Sequence, residues 1–242
     1  MDSNPNPNPT LPIAEVFTSI HGEGRWAGTP MTFIRLAGCT VGRVFYNNGP
    51  APVDFPRFPD GKYMFECSTF DGRHFPCDTD YRKTSAQTVD ELIAQIPSHI
   101  RHVCVTGGEP LMHQENPAFI DLFHRLRRVC VMHIETSGTI LPVGDWSLPE
   151  FTYITCSPKA RYKPELLRVA DEVRIMVDED IDENLISKIF SETSAQIYFA
   201  PLSSSEDVNK FSETSMKKCL ELLKLYPDAK ISIQMHKVLG VR

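Results

Sequence analysis

The run His102-Val-Cys-Val-Thr106 passes at once into Gly107-Gly108-Glu109-Pro110. A short β-branched run closed by turn residues reads as a buried strand. Strands ending in polar or glycine clusters recur outward in both directions. Upstream, the strand over 31–36 leads into Gly38-Cys39. Before the decisive stretch, Thr88-Val-Asp-Glu91 has the spacing of a capping box. Val89, Leu92, Ile93 and Ile96 then share one helical face, which Pro97 ends. Downstream, Phe119, Ile120, Leu122, Phe123 and Leu126 mark a second helix. A strand over 129–134 ends in Glu135-Thr136-Ser137-Gly138, and one over 151–155 ends in Cys156-Ser157-Pro158-Lys159. A strand over 172–177 precedes a helical face of Ile181, Leu185, Ile186, Ile189 and Phe190, and a strand over 197–199 runs into Ala200-Pro201. Met216, Leu220 and Leu223 lie on a last helix, and 231–236 reads as a last strand. Nearer the N-terminus, 11–24 is a short strand or turn ending in His21-Gly22-Glu23-Gly24.

About seven strands separated by about four clear helices predict a mostly parallel α/β sheet or partial barrel, with too few helices for a closed eightfold barrel. The polar and glycine clusters fall after the C-terminal ends of successive strands. In parallel α/β folds that is the face where ligands bind, so the pattern points to an enzyme.

The 242 residues suit one domain over 11–242, behind a Pro/Asn-rich tail over 1–10 that reads as disordered. Net charge is −6 and no basic run is present, which speaks against nucleic acid. No apolar run is long enough to span a bilayer, and the N-terminus lacks the basic and apolar regions of a signal peptide. The expectation is a cytoplasmic protein.

Seven cysteines, an odd number, argue against a disulfide framework. Cys104, Cys130, Cys156 and Cys219 sit in apolar segments and read as small buried hydrophobes. Cys39, Cys67 and Cys77 instead lie in or beside a Gly/Pro-rich loop over 39–79, which includes Asn47-Asn48-Gly49-Pro50 and Pro59-Asp60-Gly61. Structureless loops of this length are uncommon and usually functional or disordered. Structural zinc takes four ligands, with cysteines in close pairs, and no CxxC occurs here. Iron–sulfur clusters also use thiolates, and three of them leave one iron open to an outside ligand. His21, His74 or Asp78 could complete a zinc site, so spacing alone leaves both metals open.

Seven motifs then line up in order along nearly the whole chain: Ser19-Ile-His-Gly-Glu-Gly24, Phe33-Ile-Arg-Leu-Ala-Gly-Cys39, Cys77-Asp-Thr79, Thr106-Gly-Gly-Glu-Pro110, Glu135-Thr-Ser-Gly138, Ser157-Pro-Lys159 and Gln234-Met-His-Lys237. Each is weak alone. The ordered set resembles the radical S-adenosylmethionine enzymes, specifically the 7-carboxy-7-deazaguanine synthase family of the queuosine pathway.

The resemblance implies an incomplete radical-SAM-type barrel of about six to seven mostly parallel strands with a long cluster-binding loop. It implies a [4Fe–4S] cluster on Cys39, Cys67 and Cys77. S-adenosylmethionine would contact Gly107, Gly108, Glu109, Glu135, Ser157 and Lys159. The implied reaction is a carbon–nitrogen lyase step. A 5′-deoxyadenosyl radical takes the C6 hydrogen of 6-carboxy-5,6,7,8-tetrahydropterin, and ring contraction with loss of ammonia gives 7-carboxy-7-deazaguanine. Mg²⁺ is implied at Thr79, where a hard cation with few protein ligands suits a substrate carboxylate and waters. Arg35 offers a cation to that carboxylate, while His21, Gly22, Glu23 and Thr106 face the pterin edge. His236 and the terminal carboxylate of Arg242 complete the substrate set. A homodimer and an electron donor such as flavodoxin or ferredoxin are implied as well.

The chain departs from the family in three places. Both cysteine gaps are expanded, His21 stands where Gln is expected, and Ala200-Pro201 replaces Gln-Pro. Two other readings use the same residues: a radical activase acting on a partner protein, and a zinc-stabilised α/β binding protein without catalysis.

Overall fold

The computed structural model describes residues 8–44, 65–77, 79–147, 152–204 and 210–241. In chain order the strands and helices are β1 (Thr10–Ile20), β2 (Pro30–Leu36), β3 (Arg43–Val44), β4 (Phe65–Ser68), β5 (His74–Cys77), β6 (Ser85–Thr88), α1 (Val89–Ala94), β7 (His102–Gly107), α2 (Pro117–Leu126), β8 (Val131–Thr136), β9 (Thr152–Cys156), α3 (Pro164–Val169), β10 (Glu172–Val177), α4 (Glu183–Glu192), β11 (Gln196–Pro201), α5 (Glu213–Leu225), β12 (Lys230–Ile231) and α6 (Met235–Leu239).

Nine strands form one sheet in the order β12-β11-β10-β9-β8-β7-β2-β1-β6. From β12 to β2 every pairing is parallel, while β1 pairs antiparallel with β2 and β6. The parallel α/β expectation therefore holds, and the strand count is corrected upward. The short strand or turn expected over 11–24 is corrected: β1 is an 11-residue strand, Thr10–Ile20, because both of its edges find partners. Thr10, expected in the tail, opens β1, and residues 1–7 lie outside the described residues.

The two faces of the sheet differ by the period of two along each strand. Ile34 and Leu36, Val103 and Val105, Met132 and Ile134, and Val173, Ile175 and Val177 point one way. They pack against Leu92, Phe119, Leu122, Phe123, Ile186, Ile189 and Leu222 of the helices. The alternate residues, among them Arg35, Thr106, Glu135 and Arg174, point the other way and line a cavity. Thr88 caps α1 as its motif predicts. Its hydroxyl accepts from the Glu91 N–H at 3.3 Å, and the Glu91 carboxylate accepts from the Thr88 N–H at 2.7 Å.

Three further expectations are corrected. The loop over 39–79 is not structureless at its ends: β3, β4 and β5 form a small antiparallel sheet, while residues 45–64 and Asp78 lie outside the described residues. The face of α5 is rotated by one residue from Met216, Leu220 and Leu223, so that Ser215, Cys219 and Leu222 are buried and Leu220 is exposed. The last strand is only Lys230–Ile231, because Met235 donates its N–H to the Gly22 carbonyl at 3.0 Å and the chain turns into α6.

Candidate active site

The three cysteines are brought together by strand pairing rather than by sequence spacing. β4 and β5 form a hairpin with Cys67 opposite Phe75 and Cys77 opposite Phe65. The two cysteines are thus diagonal neighbours on one face. The hairpin docks on the sheet through three contacts. Arg73 pairs with Asp178, Ser68 Oγ accepts from the Ala160 N–H at 3.1 Å, and the Lys159 ammonium lies 5.1 Å from the centre of the Phe75 ring. Cys39 leaves β2 opposite the hairpin, and its sulfur accepts the N–H groups of Val41 and Gly42 at 3.4 and 3.2 Å. None of the three cysteines is in a disulfide, all are half-buried, and all three line one cavity of about 620 Å³. Burial pushes the Cys39 thiol up, against the pull of the Gly42 and Val41 amides. The Tyr81 hydroxyl is also pushed up, by burial first and then by Cys39, Cys77 and Cys67.

Gly107 and Gly108 line the same cavity beside Cys39. A Cβ on Gly108 would lie 2.3 Å from the Gly38 carbonyl oxygen and 2.4 Å from Cys39 Cβ. Only glycine permits that approach. Glu109 behaves differently from its neighbours. It is fully buried and does not line the cavity. Its carboxylate accepts from the N–H groups of Leu111 at 3.0 Å and Ser137 at 2.8 Å, from the Thr136 hydroxyl at 2.9 Å, and from the Ser137 hydroxyl. Glu109 therefore staples the exit of β7 to the exit of β8. Ser157 and Lys159 continue the cavity wall, held by N–H bonds to the Thr136 and Ser137 carbonyls at 2.8 and 3.0 Å. Thr79 lines the wall near the cysteines.

The cavity floor is a charged network. Arg174 is almost fully buried. Its Nη1 donates to Glu135 at 2.8 Å and to Glu23 at 3.0 Å, and its Nε donates to Glu172 at 2.5 Å. Glu135 also takes the Thr106 hydroxyl at 3.0 Å and lies 3.3 Å from His21 Nε2. Burial works to raise the Glu135 pKa, but Arg174 and His21 more than offset it and hold that carboxyl well below its usual range. Burial likewise works against the Arg174 charge, and Glu135, Glu23 and Glu172 override it. Sequence reasoning missed Arg174. The signal was present in the alternation Glu172-Val-Arg-Ile-Met-Val177, which puts two charges on the face opposite Val173 and Ile175.

Arg35 also lines the cavity and spends its Nε on Glu15, its cross-strand partner in β1, at 2.8 Å. His236 reaches the cavity because Gly22 makes room for it: a Cβ there would lie 2.3 Å from His236 Nδ1. Below the floor, the turn Gly24–Trp26 closes the other end of this face. Its Arg25 N–H is held by Glu172 at 2.9 Å, and its indole packs on His102, His133 and Tyr153. Arg242 lies outside the described residues.

His21, Cys104 and Glu135 bring possible ligand atoms within 4.8 Å of one another. Both Glu135 oxygens are committed, to Arg174 and to Thr106, so a cation there would face a guanidinium. The trio reads as part of the network rather than as a metal site.

A curated 7-carboxy-7-deazaguanine synthase from Synechocystis sp. is 30% identical over 237 residues, which cover 96% of this chain and 94% of the relative. The chain belongs to the 7-carboxy-7-deazaguanine synthase family. Another synthase of that name, from Aquifex aeolicus, is 27% identical over 236 residues, covering 96% of this chain and 94% of the relative. The crystal structure of QueE from Escherichia coli has the same fold, with a TM-score of 0.63 at 24% identity over 94% of this chain and 95% of that one. No family model matches the chain. The chain is thus an enzyme of the 7-carboxy-7-deazaguanine synthase family, and its Cys39, Cys67, Cys77 cavity is the candidate active site of such a synthase.

Proposed function

We propose that the chain converts 6-carboxy-5,6,7,8-tetrahydropterin to 7-carboxy-7-deazaguanine with loss of ammonia, as a radical S-adenosylmethionine enzyme on an incomplete barrel. The observation that carries this reading is the convergence of three cysteines outside any disulfide, distant in sequence, on one cavity that also holds the Gly107-Gly108 strand end and the Arg174 network. The donor set fits an iron–sulfur cluster: three thiols, no fourth cysteine among the described cavity residues, and backbone amides aimed at one sulfur.

Cys39, Cys67 and Cys77 hold a [4Fe–4S] cluster, and Gly107, Gly108, Ser157 and Lys159 hold S-adenosylmethionine. When bound, the two together would supply radical chemistry at the substrate C6, with one electron coming from an outside donor. Because the Glu109 carboxylate is used inside the fold, the contact to the methionyl amine passes to the Gly107-Gly108 backbone. Arg35 keeps its terminal nitrogens for the substrate carboxylate, with Mg²⁺ at Thr79 beside it. His21, Glu23, Thr106 and His236 hold the pterin ring, and Glu135 joins them instead of facing the cofactor. The protein works as a homodimer in the cytoplasm with a flavodoxin- or ferredoxin-like donor.

The test is an anaerobic assay with reconstituted cluster, S-adenosylmethionine, magnesium, reductant and 6-carboxytetrahydropterin, read by mass. Expected is 7-carboxy-7-deazaguanine, lost in Cys77→Ala. Deoxyadenosine without that product refutes the substrate. Neither product, from protein that holds zinc, refutes the chemistry.

A further inference from the structure

Arg174 has more donors than its three carboxylates use. Nε is taken by Glu172, and Nη1 by both Glu23 and Glu135. Nη2 is enclosed and meets no hydrogen-bond acceptor among the described residues. A buried cationic N–H left without an acceptor keeps its full desolvation cost with no hydrogen bond to offset it. Arg174 itself lines the cavity, so a ligand seated against its guanidinium can bring the missing acceptor.

The acceptors around it are unequally spent. Glu172 gives Oε1 to Arg174 and Oε2 to the Arg25 N–H and the Tyr153 hydroxyl. Glu135 gives one oxygen to Arg174 and the other to Thr106. Glu23 gives only Oε2 to Arg174, and its Oε1 meets no donor among the described residues. The floor therefore offers an unused cationic donor beside an unused carboxylate oxygen. A 2-amino-4-oxo pyrimidine edge presents the opposite order: an oxo acceptor, then a ring N–H and an amino donor.

We propose that Arg174 is a specificity-determining residue, donating from Nη2 to the 4-oxo group of the bound pterin while Glu23 accepts from the neighbouring ring N–H and amino group. This rests on the pterin reading above and adds a residue and a direction to it. The pterin edge then points toward β10, and discrimination against ligands lacking the oxo group falls to one guanidinium nitrogen. Lysine at 174 keeps the charge among the carboxylates but lacks the planar fork that engages all of them and the ligand together.

The experiment is a binding cycle on anaerobic, cluster-loaded protein with S-adenosylmethionine present. Pterin-6-carboxylate and its 4-deoxy analogue are titrated into wild type and Arg174→Lys. Wild type is expected to prefer the oxo ligand about tenfold or more, the worth of one charge-assisted hydrogen bond. Arg174→Lys is expected to narrow that preference to about threefold or less. A purely structural role for Arg174 weakens both ligands equally, and an unchanged preference overturns the proposal. Equal wild-type affinities overturn it with no variant needed, which covers a lysine form that does not fold. Wild type that holds cluster and S-adenosylmethionine but binds neither pterin overturns the substrate reading, and this assignment with it.

Discussion

Replacing Glu109 with alanine separates a structural from a cofactor role at a residue whose motif suggests the cofactor. In the fold, its carboxylate serves the N–H groups of Leu111 and Ser137 and the hydroxyls of Thr136 and Ser137, all without exposure to solvent. The hydroxyls can rotate toward other acceptors when the carboxylate is removed. The two backbone N–H groups cannot, and each unsatisfied group costs about 1–3 kcal/mol. Relief from burying a carboxylate returns part of that, which leaves a net loss of about 3 kcal/mol. For a chain of this size each kcal/mol moves the melting temperature by about 2–4 °C, so Glu109→Ala should melt about 6–12 °C lower. The assay is thermal and urea denaturation of cofactor-free protein, followed by circular dichroism. Glu109→Gln should fall between the two, because its amide keeps one acceptor and turns a donor toward the remaining N–H. A Glu109→Ala protein within about 1 kcal/mol of wild type, with affinity for S-adenosylmethionine reduced, refutes the staple.

Gly108→Ala should cost about 1–3 kcal/mol, since its Cβ would meet the Gly38 carbonyl and Cys39 Cβ, and should lower iron content after reconstitution by moving Cys39. Full loading with an unchanged melt argues against that close approach. Burial, then His102 and His21, push His133 down to about 3, so the folded protein binds this proton more weakly than the unfolded chain, where histidine titrates near about 6.5. Stability should therefore fall as pH drops below about 6.5, by up to about 1.4 kcal/mol per unit, and His133→Phe should flatten that slope between about pH 6 and pH 4.5; parallel curves for the two proteins contradict it.

What the sequence discloses and what it hides divide along physical lines. The α1 capping box is a contact between residues three apart, so Thr88 and Glu91 announce it. The parallel strands are legible because both faces leave marks: an apolar one toward the helices and a polar one toward the cavity. Most of the expected site residues accordingly meet at one cavity. The internal bonds of Glu109 and the whole role of Arg174 are not legible in the sequence, because they are decided by partners far along the chain, Thr136 and Ser137 for one, Glu23 and Glu135 for the other. On α5, helical spacing is satisfied equally by Met216, Leu220 and Leu223 and by Ser215, Cys219 and Leu222. Packing on β10 and β11 chooses the second set.

The hairpin between Cys67 and Cys77 doubles back at its tip, where Thr69 Oγ1 accepts the Arg73 N–H at 3.0 Å. The separation of the two cysteines is consequently fixed by cross-strand register rather than by the number of residues between them. Residues added in facing pairs beyond Ser68 and before His74 lengthen the hairpin outward and leave both cysteines opposite their present partners. Cysteines paired in this way can drift in spacing over evolutionary time while their geometry stays put. A rule that recognises it by counting residues between cysteines is measuring the wrong length.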